Sequence, residues 1–199
     1  MKFSQIEKKD LFFAGLLISL AFAILLAGGY EVLFSLNSGL IVAFIIAFFT
    51  AGVGFLLHEI MHKYVAQSYG LRAEFRANYN MLWLALGASL FGFIFAAPGA
   101  VYISGWNIDK RKNGKISLAG PVTNIILAVI FLILLLIFGK GGMLGELFSF
   151  GLTINALLGA FNMIPVMPFD GAKIIAWDKT VYYITLAVAV GLYFGSWVV

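Results

Sequence analysis

Charge is absent from long stretches of this chain. Six runs, 11–30, 32–57, 77–108, 116–139, 147–169 and 180–199, contain no Asp, Glu, Lys or Arg. A helix needs about 20 apolar residues to cross the hydrocarbon core of a bilayer, and every run is long enough. With 62% hydrophobic and 11% charged residues, the chain lacks the polar surface of a water-soluble globule, in which roughly a quarter of residues are charged. A soluble enzyme, a disordered chain and a nucleic-acid partner are excluded. The expected fold is an all-α polytopic membrane protein whose surroundings are the lipid bilayer. It forms one integral-membrane domain over 1–199, with no tandem repeat and no appended soluble module. The first apolar run has no Ala-x-Ala type cleavage site before the next span and reads as an uncleaved segment.

The positions of Lys and Arg test how many runs cross. Short cytoplasmic loops collect these residues. If all six runs cross, the 13 basic residues divide almost evenly between the two sides. If the third run enters and leaves on one face, every basic residue except Lys140 falls on the inner side. The second arrangement predicts about five to six transmembrane helices and a re-entrant or membrane-apposed segment over 77–108. Gly87, Gly92, Pro98 and Gly99 suit bends within it. Such a segment must pack on protein or line a wet cavity. Its flanks, 73–78 and 100–104, together with 115–118, are expected as short strands.

The only two histidines lie in His58-Glu59-Ile60-Met61-His62, at the end of an apolar helical run. Residues i and i+4 share a helix face, so both imidazoles can grip one ion, and Glu59 can serve a metal-bound water beside them. This is the His-Glu-x-x-His zinc-hydrolase signature. A Glu at this depth is costly unless it is paired or reached by water. Lys63, just beyond, reads as an interfacial anchor that snorkels.

A catalytic zinc takes three protein ligands and keeps one position open. The chain has no Cys and no further His, so the third donor is a carboxylate. Glu31 and Glu146 fall on the outer side, whereas His58 lies roughly 28 Å along a helix starting at Gly39, near the inner end. The run from 147 also ends on the inner side, at Asn162-Met163-Ile164-Pro165-Val166-Met167-Pro168-Phe169-Asp170-Gly171. Pro165 and Pro168 break the helix, and the following turn can aim Asp170 into the bundle. Asp178, beside Lys179, is the weaker rival and reads as an interfacial ion pair. Asn162 can bind substrate backbone or steady a reacting carbonyl oxygen, or else cap the broken helix. Small residues at Gly120, Asn124 and Ala128, and at Gly151, Asn155 and Gly159, read as close helix packing, with Asn124 bonding across helices.

Together, the His58–His62 motif and the later Asn-x-x-Pro-x-x-Pro-x-Asp-Gly over Asn162–Gly171 resemble the site-2 proteases, which are intramembrane metalloproteases. Ala119-Gly120-Pro121-x-x-Asn124 resembles the start of that family's middle core helix. The likeness covers roughly 40–175. The family usually has Gly-Gly after the Asp, where this chain has Gly171-Ala172, and the apolar insert 81–95 is longer than in compact members. The resemblance implies one Zn²⁺ per chain on His58, His62 and Asp170, Glu59 as general base, and membrane-associated strands within 71–118 that receive an extended substrate. It implies hydrolysis of peptide bonds in or near a transmembrane segment of a single-span protein. The expected location is the cell membrane of a prokaryote, with the active site near the cytoplasmic side. The alternative is an ion or zinc transporter, or a non-proteolytic zinc-binding membrane protein, using the same four ionisable groups.

Overall fold

The computed structural model describes residues 1–33, 38–94 and 98–199. Helix α1 (Gln5–Leu26) starts where the Ser4 hydroxyl accepts the Glu7 N–H. A 3₁₀ turn (Gly29–Leu33) leads to α2 (Ser38–Ala47), which continues through a π-helical turn (Phe48–Gly52) into α3 (Val53–Ser68). Strand β1 (Arg72–Ala77), helix α4 (Tyr79–Leu90) and strand β2 (Gly99–Ser104) follow. The chain then forms α5 (Lys110–Phe138), α6 (Gly142–Asn162), α7 (Asp170–Trp177) and α8 (Lys179–Gly195). Asn78, Asp109 and Asp178 cap α4, α5 and α8 by accepting N–H groups of the first turn, as short polar side chains do at helix starts.

Among the described residues four helices are long and apolar enough to cross a membrane: Gln5–Leu26, Gly39–Ser68, Lys110–Phe138 and Gly142–Asn162. Helix α8 is apolar but has 17 residues. The expected five to six spans therefore resolve into four long helices and this shorter one. On α5, Ile126, Ile130, Ile133 and Ile137 stand exposed along one side. In water that stripe would be a liability; against lipid chains it is at home.

The third apolar run contains no helix long enough to cross among the described residues. Helix α4 has 12 residues, about 18 Å at 1.5 Å per residue, too short for a bilayer core. Strands β1 and β2 pair antiparallel from Arg72↔Ser104 to Ala77↔Gly99. The two ends of the segment are thus paired strand neighbours, which is the arrangement the distribution of basic residues leads one to expect. Gly92, at φ 85°, turns the chain just after α4. Positions 95–97 of the expected segment, and with them the end of the 81–95 insert, lie outside the described residues, as do 34–37 of the second run.

Two local expectations change. Residues 115–118 are helical, because the Asp109 cap starts α5 at Lys110 and the helix runs unbroken into the apolar span. Lys63 does not snorkel: it is 2% exposed and its Nζ lies 2.5 Å from Oε2 of the fully buried Glu7. The bilayer offered a way out for this cation, but a carboxylate on α1 supplies a partner inside the protein.

The core between α1, the 39–68 span, β1, α4 and α6 contains Ala14, Ile18, Phe22, Ala51, Phe55, Phe75, Leu82 and Ile154. Helix α5 is the centre of the other half, packed on α3, α6 and α7. It thereby faces both the histidine helix and the helix that begins with Asp170.

Candidate metal centre

His58 and His62 project from one face of α3, their ring centroids 4.6 Å apart and their planes at 84°. Both rings are held from behind by α5. His58 Nδ1 lies 2.5 Å from Asn124 Oδ1, and His62 Nδ1 lies 2.8 Å from the Ile116 carbonyl oxygen. Both partners are acceptors, because Asn124 Nδ2 is already committed to Gly54 O at 3.3 Å and Asn155 Oδ1 at 3.1 Å. Each imidazole therefore carries its proton on Nδ1 and turns a free Nε2 lone pair forward. This is the usual way a protein orients histidine ligands.

Asp170 arrives from the opposite side. Helix α6 ends at Asn162, the chain passes Pro165 and Pro168, and α7 begins at Asp170 itself. The bend is tight: a Cβ on Gly171 would collide with the Met163 carbonyl. Asp170 Oδ2 comes to 3.4 Å from His58 Nε2 and 3.0 Å from His62 Nε2, while Oδ1 lies 3.7 Å from Lys173 Nζ. All three residues are more than nine-tenths buried.

The donor set fits a metal ion. The three ligand atoms lie within 4.8 Å of one another. Zn–N and Zn–O bonds of about 2.0–2.2 Å place tetrahedral neighbours roughly 3.4 Å apart, close to the two His–Asp separations. Two imidazoles and one carboxylate form a familiar zinc set that leaves a fourth position open. Space is kept at the nitrogen tips by Gly120, where a Cβ would press on Nε2 of both histidines. Gly120→Ala should accordingly weaken zinc binding by ~10–100-fold, as loss of ligand support typically does. Gly87→Ala, in α4 with open space around it, should leave zinc affinity unchanged. Chelator competition on the two purified variants checks this, and wild-type affinity in Gly120→Ala would refute the assignment of that space to a metal.

Glu59 is buried beside His58, on the helix α3 that packs against β2, with the Val101 backbone nearby. No protein-family model matches the chain. A Methanocaldococcus jannaschii protein whose name places it among the zinc metalloproteases is 45% identical over 168 residues, 83% of this chain and 88% of the relative. The chain belongs to the site-2 protease family. A Bacillus subtilis protein similarly named, YwhC, is 31% identical over 140 residues, 62% of this chain and 64% of that protein. A second zinc metalloprotease of M. jannaschii is 32% identical over 124 residues, 62% of this chain but 31% of its own length. The solved site-2 protease of M. jannaschii superposes with a TM-score of 0.46 and 21% identity, over 90% of this chain and 86% of that one. The metal of this chain is zinc, as for the zinc metalloproteases it matches, and the chain is a membrane protein of a prokaryote.

Of the residues singled out in the sequence, His58, Glu59, His62 and Asp170 come together. Asn162 does not face them through any bond: its Nδ2 donates to Leu158 O at 2.9 Å, within its own helix. Asp178 accepts N–H groups of Thr180 and Val181 at the start of α8, so it acts as a helix cap instead of an interfacial ion pair. Asn124 does bond across helices, as expected, but its oxygen also fixes His58. Sequence reasoning missed this, along with the role of Gly120. The signal was present, since Ile116, Gly120 and Asn124 recur every four residues and so share one face of α5.

Proposed function

We propose that the chain is one integral-membrane catalytic unit that cleaves peptide bonds in or near a transmembrane segment of a single-span protein. In this reading His58, His62 and Asp170 hold one Zn²⁺ and Glu59 is the general base. The observation that carries it is the convergence of three buried metal donors beside a buried Glu59, on a helix that packs against the end strand of a two-stranded sheet.

Zinc, when bound, supplies a Lewis acid for the scissile carbonyl and lowers the pKa of water toward about 7. Glu59 takes the proton of the attacking water and passes it to the leaving amine. Asn124 and the Ile116 carbonyl keep the imidazoles from rotating. Lys173, near the second oxygen of Asp170, offsets the carboxylate charge on the side away from the histidines.

The sheet supports the substrate reading. Phe75 and Ala77 on β1 send their N–H groups away from β2, to Glu7 and Asp10. Phe75↔Val101 is therefore a non-hydrogen-bonded pair, and Val101 sends its own N–H outward on the far edge of β2, toward Glu59. An extended peptide added there would lie against the general base, by the strand addition seen in many peptide complexes. A helix hides its carbonyls in its own hydrogen bonds, so the substrate segment unwinds locally before it binds. The single-sided distribution of Lys and Arg supports a cytoplasmic position for this end of the bundle.

The test is cleavage of a purified single-span substrate by the purified chain in detergent. Cleavage should stop when a chelator removes the metal and return on adding zinc. A chain that binds zinc but cleaves no single-span substrate would refute the reading and favour ion transport.

A further inference from the structure

Glu7 and Lys63 are buried ionisable groups that the proposed mechanism does not use. Glu7 lies on α1, fully buried, and Lys63 follows His62 directly on α3. The Glu7 carboxylate is divided between two elements. Its Oε2 meets Lys63 Nζ at 2.5 Å, and its Oε1 accepts the Phe75 N–H of β1 at 2.9 Å. Asp10, one turn further along α1, repeats the arrangement: Oδ2 accepts the Ala77 N–H at 3.3 Å and Oδ1 the Tyr79 hydroxyl at 2.8 Å. Residues 75 and 77 lie on one edge of β1, and residues 7 and 10 on one face of α1. Helix α1 thus stands in for a third strand along the outer edge of β1, closing it to strand addition.

The same contacts close a circuit through the active site. Glu59, Lys63 and Gln67 recur every four residues on α3 and share one face. At Glu59 the helix packs against β2 near Val101, Lys63 meets Glu7, and Gln67 Oε1 accepts the backbone N–H of Lys2 at 3.2 Å. The Phe3 ring lies 4.5 Å below Lys63 Nζ. From α3 the path runs through Glu7 to Phe75, across the pair to Val101, and back to Glu59 on α3. A pair of apolar residues commonly replaces a buried ion pair without loss of stability, but it could not accept the Phe75 N–H or direct a bond from α1 to α3.

We propose that Glu7 and Lys63 are positioning residues, a strut that fixes the sheet against α3 so that the free edge of β2 stays beside Glu59. This rests on the reading of β2 as the substrate edge. The decisive variant is Glu7→Met/Lys63→Met, which keeps apolar volume and removes both directed bonds. Zinc content and thermal midpoint should stay near wild type. Turnover of the single-span substrate should fall ~10–100-fold, the penalty of a misplaced reacting group. Glu7→Gln has one oxygen for these two donors, so its amide N–H₂ faces either Lys63 Nζ or the Phe75 N–H, and its turnover per folded molecule should fall in the same direction.

A second measurement does not depend on proteolysis. The chain has no native Cys, and Tyr64 on α3 and Tyr102 on β2 are exposed, so both can be replaced by Cys and spin-labelled. The distribution of dipolar couplings between the labels should broaden relative to wild type in the double Met variant, and also in Glu7→Gln. Wild-type turnover and wild-type coupling in the double Met variant would overturn the proposal. If that variant fails to fold, wild-type turnover and wild-type coupling in Glu7→Gln would overturn it instead. If no substrate is cleaved by wild type, the coupling still decides whether the strut exists, and only the reading of the β2 edge falls.

Discussion

Replacing Glu59 by Gln should slow peptide cleavage by on the order of 10²–10⁴-fold while zinc stays bound. The substitution keeps the size of the side chain but removes the group that accepts a proton. Glu59 is not among the convergent donors, which are His58, His62 and Asp170, so the metal should not be disturbed. Metal content by elemental analysis and single-turnover cleavage on the same sample separate the two effects. A Glu59→Gln protein that still requires zinc and cleaves at the wild-type rate would show that another group handles the proton, even with the fold intact.

Asp170→Ala should lose most of its zinc, with affinity falling more than ~100-fold, beyond the range for weakening a supporting group. Two histidines remain, one short of the usual catalytic set of three protein ligands. Asp178 offers no substitute, because it is committed to the cap of α8. Lys173 would also lose the carboxylate oxygen 3.7 Å away, leaving a cation in the pocket that further opposes a metal. Asp170→Asn isolates that charge effect, since it keeps one oxygen in place. Chelator competition on the detergent-purified variants measures both, and undiminished affinity in Asp170→Ala would remove it from the ligand set.

The parts of this site that were legible in sequence are those where a charge in an apolar chain is expensive. His58, Glu59, His62 and Asp170 stand out because hydrocarbon surroundings do not tolerate such groups without a purpose. The same scarcity made the basic residues informative about the same-side return of 77–108. Lys63 misled for a related reason. Seen alone beside a span, a lysine has an inexpensive route to water along its own stem, and its partner Glu7 lies 56 positions away. Asn124 and Gly120 were hidden because small and polar residues spaced by four carry the same signature whether they pack helices or support ligands. The 115–118 region, short and mixed in polarity, gives no period of its own, and the Asp109 cap decided it as helix.

The wide separation of Asp170 from the two histidines has a consequence during synthesis. The third donor is encoded about a hundred residues after His62. At 5–20 residues per second, the ribosome takes roughly 5–20 s to reach it. Throughout that interval the nascent chain exposes its own unpaired spans in the bilayer, and these are the kind of segment it is proposed to cut. The histidine helix is then present without the carboxylate that completes the zinc set. With the proposed ligand set, the order of residues in the gene acts as a timer, and competence to cleave arrives only after residue 170 of the 199 has been made and the earlier helices have had time to pack.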